Sequence, residues 1–118
     1  MKKALLSLLT VFFIVFSFVS CDKYQRGYDC TGNIPTYNND IKAIYDGNCA
    51  TSGCHNTPYH SSGIDLSNYA GAAAANNDAV LGSVEHDAGY SAMPQNGTKL
   101  TDTQIKKIYC WMQNNKPL

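Results

Sequence analysis

From Cys21 to its C-terminus the chain has four Leu, six Ile, two Val and no Phe with which to build a fold. Twelve aliphatic side chains in 98 residues fall below the roughly 20 per cent under which a sequence usually fails to close a core. A domain of this size buries only about 60 to 65 per cent of its unfolded surface, so every missing apolar group counts. Disorder normally also requires a large net charge. Seven Lys and Arg against nine Asp and Glu leave only −2 over this stretch. Something other than aliphatic side chains must complete the core. Eight tyrosines (Tyr24, Tyr28, Tyr37, Tyr45, Tyr59, Tyr69, Tyr90 and Tyr109) can do so around a buried apolar group. The competing reading is a small disulfide-held domain rich in Asn and Tyr.

All four phenylalanines, Phe12, Phe13, Phe16 and Phe18, precede Cys21. Lys2 and Lys3 stand before an uncharged run from Ala4 to Val19, the charged and apolar regions of a secretory signal. Sixteen residues are few for a bilayer span, which takes about 20. Val19-Ser20-Cys21 resembles the lipobox of bacterial lipoproteins, with Phe18 where that motif prefers Leu. Residues 1–20 are expected to be a lipoprotein-type signal, with Cys21 lipidated and the domain facing the periplasm or the exterior of a bacterial cell envelope. An uncleaved anchor and an ordinary cleaved signal are the alternatives.

Cys49-Ala50-Thr51-Ser52-Gly53-Cys54-His55 concentrates the chemistry. Two thiols followed at once by a histidine form the arrangement that attaches a c-type haem. Each thiol can add to a porphyrin vinyl group while His55 presents an imidazole nitrogen to the iron. The spacer here has four residues where the usual form has two. Cys49, Cys54, His55 and His60 also make a four-ligand zinc set, although adjacent Cys54 and His55 are an awkward pair for one tetrahedral ion. With Cys21 lipidated and Cys49 and Cys54 on haem, Cys30 and Cys110 are left as a disulfide pair in an oxidising compartment. Two unpaired thiols, or a Cys49 to Cys54 bridge without a cofactor, are the alternatives.

Residues 21–36 are polar and aperiodic and read as a tether, followed by a domain over 37–118. A first helix is expected from Asn39 or Asp40, either of which can cap it, carrying Ile41, Ile44 and Tyr45 and ending by Gly47. Ser67 is expected to cap a short helix through Tyr69 and Ala72 to Ala75, and another turn of helix is expected from Asp78 to Leu81, before Gly82. Thr101-Asp102-Thr103-Gln104 is a capping box, and Ile105, Ile108, Tyr109 and Met112 then repeat at helical spacing. No strand pattern competes, so the fold class is all-α with long loops.

The loop from Ser83 to Lys99 is long for so small a domain, which marks it as functional or disordered. Met93 stands in it before Pro94, which favours extended backbone, and is the candidate sixth ligand opposite His55. A thioether opposite imidazole raises the reduction potential. His86 and His60 are the rivals. Met112 lies on the packing face of the last helix, and Asp46 and Asp65 read as a helix-end residue and a loop residue. No nucleophile elbow, phosphate-binding glycine loop or paired carboxylates occur, and scattered lysines lack the basic stripe of a nucleic-acid binder. Lys99, Lys106 and Lys107 make either a small positive patch near the haem edge or a solvated helix face.

The ordered succession of helix, CxxxxCH, Gly63-Ile64-Asp65-Leu66-Ser67-x-Tyr69, Ala92-Met93-Pro94-x-x-Gly97-x-x-Leu100-Thr101 and Ile105-x-x-Ile108-x-x-Trp111-Met112 resembles the small bacterial c-type cytochromes, particularly lipoprotein-borne domains with a widened haem motif. The similarity runs from about Tyr37 to Asn115. It implies a class I cytochrome c fold, few short helices wrapped around one haem, with first and last helices crossing near it. It also implies His55 as proximal ligand, Met93 as distal ligand and Trp111 packed close to the porphyrin. No proline matches the one whose carbonyl often orients the proximal histidine. The expected function is a membrane-tethered, single-haem electron carrier exchanging electrons with other redox proteins of the envelope, and not an enzyme. A haem enzyme or gas sensor, and a zinc-binding or disulfide-held structural lipoprotein without haem, are the alternatives.

Overall fold

The structure, a computed structural model, describes residues 26–95 and 97–118. The expected signal over 1–20, the lipidation site Cys21 and the first residues of the tether lie outside the described residues. Among those described there are helices and turns and no strands, as an all-α chain requires.

The first helix, α1, opens with a π-helical turn over Tyr37–Ile41 and continues as α-helix over Lys42–Asn48. Its cap is Thr36, earlier than either expected residue. The Thr36 hydroxyl accepts from the Asn39 N–H at 3.4 Å, and the Asp40 carboxylate accepts from the Thr36 N–H at 3.2 Å. Asn39 and Asp40 thus serve the cap from inside the helix. The longer start brings Tyr37 onto the same face as Ile41, Ile44 and Tyr45, and all four are buried.

Helix α2 spans Tyr69–Ala74, and its cap is Asn68, whose side chain accepts from the Gly71 N–H at 2.9 Å. Ser67, the expected cap, instead donates its hydroxyl to Asp65 at 2.6 Å. Helix α3 spans Asn77–Glu85 and runs through Gly82, where sequence reading ends it. Asn76 caps it by accepting from the Ala79 N–H at 3.0 Å. A glycine is needed mid-helix because a β-carbon there would collide with the Tyr90 ring laid against it. Helix α4 spans Asp102–Gln113 and begins at Thr101 with the expected capping box. Gln104 accepts from the Thr101 N–H at 3.0 Å and donates its own N–H to the Thr101 hydroxyl at 3.3 Å.

The shortage of aliphatic residues is met by rings. Trp111 is fully buried, with the Tyr37 and Tyr45 rings centred 6.2 and 6.4 Å away and Tyr69 a further 5.4 Å beyond Tyr37. Such pairs contribute roughly 0.5 to 1.5 kcal/mol each beyond the area they bury. The C-terminal tail closes this cluster: the Trp111 indole N–H donates to the Pro117 carbonyl at 2.8 Å, and the Tyr69 hydroxyl donates to the Lys116 carbonyl at 2.9 Å. The Lys116 ammonium donates to the Ala73 carbonyl at 2.6 Å, at the negative end of α2.

From Arg26 onward the N-terminal segment lies along the domain. Cys30 and Cys110 form a disulfide, Tyr28 packs on Tyr109 with ring centroids 5.4 Å apart, and Tyr28 donates its hydroxyl to Glu85 at 3.0 Å. Arg26 pairs with Glu85 and Asp87 at the end of α3.

Candidate functional site

Cys49 is the residue on which α1 ends, and it is buried. The chain then turns back on itself. Gly53, at φ +82°, takes a conformation that a side chain would strain. The Cys54 N–H donates to the Thr51 carbonyl at 3.0 Å and the His55 N–H donates to the Cys49 carbonyl at 3.0 Å. The long spacer is therefore folded into a turn that returns His55 to the side of Cys49. Two further bonds hold the pair in place, from the Ser61 N–H to the Cys54 carbonyl at 3.1 Å and from the Leu66 N–H to the His55 carbonyl at 2.8 Å.

Both thiols are free, Cys49 buried and Cys54 exposed. Burial pushes the Cys49 thiol up to about 11, with Cys54 adding to the effect. Cys49, His55 and Met93 line a cleft of about 310 Å³ whose apolar side is built by Ile64, Leu66, Val80 and Val84. An adjoining hollow of about 220 Å³ shares Cys49, His55 and Met93 and adds Cys54 and Pro94. The larger of the two lies at the lower end of the range of small-molecule and cofactor sites. The His55 Nδ1 atom is buried without a hydrogen-bond partner. Such an atom costs roughly 1 to 3 kcal/mol, a cost removed when the imidazole gains a metal or a donor–acceptor partner.

Met93 reaches this cleft from a loop that is fastened on both sides of its backbone. Its N–H donates to the Ser83 carbonyl at 3.0 Å, and its carbonyl accepts from His86 Nε2 at 3.1 Å. His86 lines neither part of the cleft. His60 is also turned away: its Nε2 lies 3.3 Å from the Thr57 hydroxyl and 3.4 Å from Asp65. Among the described residues no three His, Cys, Asp or Glu side chains converge as a metal-holding group. The zinc set of Cys49, Cys54, His55 and His60 is therefore not assembled.

Cys49, Cys54, His55 and Met93, chosen from sequence, thus come together, and Trp111, which is not among the residues lining the cleft, packs on Tyr37 and Tyr45. Lys106 and Lys107 border a separate hollow beside the Cys30–Cys110 disulfide, and Lys107 pairs with Asp40 at 2.8 Å. Among the described residues no Lys, Arg, Asp or Glu lines the cleft.

Asp65, read from sequence as a plain loop residue, is the clasp of the segment that supports His55. Its carboxylate accepts from the Ser67 hydroxyl and N–H at 2.6 and 2.9 Å, from Asn68 at 2.7 Å and from the Thr57 hydroxyl at 2.9 Å. The Asp-x-Ser spacing of an Asx turn was the available signal. Bonds from the Ser67 hydroxyl, then from its backbone N–H, hold the carboxyl down to about 2, below its usual 3.8. A depressed carboxyl contributes stability above its unfolded pKa and loses it as pH falls through the folded one. Stability is expected to drop between about pH 4 and pH 2, and Asp65→Asn is expected to flatten that stretch of an acid-denaturation curve. An unaltered curve would show that the clasp contributes nothing.

No helix among the described residues is long and apolar enough to cross a membrane. No protein-family model matches the chain, and no curated protein or solved structure matches it.

Proposed function

We propose that this protein is a mono-haem c-type cytochrome, an electron carrier tethered to the cell envelope through a lipid on Cys21, with a cytochrome c-like arrangement of its helices. The observation that carries the reading is the meeting of two free thiols, one imidazole and one thioether at two adjoining hollows, one of which has an apolar side. Haem supplies an iron that exchanges one electron between ferric and ferrous states. The chain supplies the rest. Cys49 and Cys54 would hold the group through two thioether links, and His55 and Met93 would offer its iron a nitrogen and a sulfur. Ile64, Leu66, Val80 and Val84 would lay an apolar wall against the group, and a thioether ligand would favour the reduced state.

The wide spacer fits this role because the turn through Gly53 places His55 beside Cys49. The test is an optical spectrum of protein made with haem-attachment machinery and extracted with acidified acetone. A reducible haem spectrum is expected to stay with the polypeptide and to vanish in the Cys49→Ala, Cys54→Ala double variant. Absence of bound haem in the unaltered protein would overturn the reading. Rapid carbon monoxide binding by the reduced protein would convert the carrier into a gas-binding or catalytic haem protein.

A further inference from the structure

We infer that His86 is a positioning residue for Met93, an inference that rests on the haem reading for its functional meaning but not for its geometry. A carbonyl oxygen only accepts hydrogen bonds. The 3.1 Å contact between His86 Nε2 and the Met93 carbonyl therefore places a proton on Nε2. That nitrogen is thereby committed to the loop and withdrawn from metal binding. Together with the bond from the Met93 N–H to the Ser83 carbonyl, it fixes the peptide groups on both sides of the Met93 side chain.

The backbone that carries the imidazole is itself held. His86 ends α3 in the left-handed region, at φ 60° and ψ 40°, with its N–H shared between the Gly82 and Ser83 carbonyls. On either side, Glu85 and Asp87 are gripped by Arg26 from the N-terminal segment. Ser83 and His86 thus present two bonds to Met93 from one rigid helix end. The sulfur is offered to the cleft by α3, although the loop that carries it has no helical structure of its own.

Two variants separate positioning from capping. Glycine is the preferred residue where a helix ends in the left-handed conformation. His86→Gly therefore preserves or improves the cap while deleting the bond to Met93. His86→Gln returns an N–H donor at similar reach. In the haem-free protein, exchange of the Met93 amide proton with solvent is expected to become about three- to tenfold faster in His86→Gly, the size of one net hydrogen bond. It is expected to return towards the parent rate in His86→Gln, with overall unfolding unaffected in either. In the haem-loaded protein the same pattern is expected in carbon monoxide binding to the reduced form, about three- to tenfold faster in His86→Gly and restored by glutamine. A Met93 amide equally protected in His86→Gly would overturn the inference and leave His86 as a cap alone. Faster amide exchange in a protein that retains no haem would keep His86 as the loop's fastener and reject the cytochrome reading. Faster exchange with unchanged carbon monoxide binding would confine His86 to the backbone and remove it from control of the sulfur.

Discussion

Replacing Cys30 and Cys110 together by alanine is expected to lower the stability of the domain by about 4 kcal/mol. The bridge joins residues 80 apart in sequence, so the loop it closes spans most of the domain. On the chain-entropy account the cost of leaving such a loop open grows with the logarithm of its length, which makes this cross-link more effective than a local one. A folded chain of this size has only about 5 to 14 kcal/mol in hand, so the variant should unfold at much lower urea, followed by far-ultraviolet circular dichroism. The Arg26 pairs and the Tyr28 to Tyr109 contact also hold the N-terminal segment. A loss below about 1 kcal/mol would mean that those contacts suffice and that the unfolded chain is already compact.

Met93→Ala is expected to shift the reduction potential of the haem-loaded protein downward by about 0.1 V or more, within the roughly 0.8 V that axial ligands span. On the proposed haem reading, loss of the thioether would leave His55 as the remaining protein ligand and open one position to small molecules. The reduced variant is therefore expected to bind carbon monoxide rapidly where the parent binds it slowly. Met93 is only partly buried, so the stability cost should stay below the roughly 2 to 5 kcal/mol of a core methionine. A potential equal to that of the parent would exclude Met93 as the distal ligand. Because His86 Nε2 is engaged on the Met93 carbonyl, the natural substitute ligand would first have to break that bond.

The parts of this molecule that were legible in its sequence are those decided within a few residues. The capping box at Thr101 and the spacing of Ile105, Ile108, Tyr109 and Met112 define α4 without help from elsewhere, and it spans Asp102–Gln113. The thiols and imidazole between Cys49 and His55 were equally plain, because their chemistry lies in their order. The start of α1 was not. Thr36, Asn39 and Asp40 can all cap a helix, and the choice falls to Thr36, which brings Tyr37 into the cluster with Tyr69 and Trp111. The same holds for Gly82, where local propensity stops a helix and a ring from a distant loop makes the glycine necessary. Lys106 and Lys107 fell on the wet side of α4 as expected, yet periodicity says nothing of distance, and the hollow they border is the one beside the disulfide. The disulfide pairing followed from counting thiols, whereas the packing of residues 26–36 around it left no local trace.

Trp111 is the sole tryptophan of the chain, it is wholly buried, and tyrosine rings stand within 6.4 Å of it on two sides. Ultraviolet light absorbed by those rings passes readily to the indole, so the domain emits from one known point in its interior. A red shift of that emission marks the entry of water into the aromatic cluster. On the proposed haem reading, its dimming would mark a strongly absorbing group in the cleft lined by Cys49, His55 and Met93. The ring that replaced the missing aliphatic core thereby equips the protein with a built-in optical gauge, able to follow unfolding in one cuvette without a label.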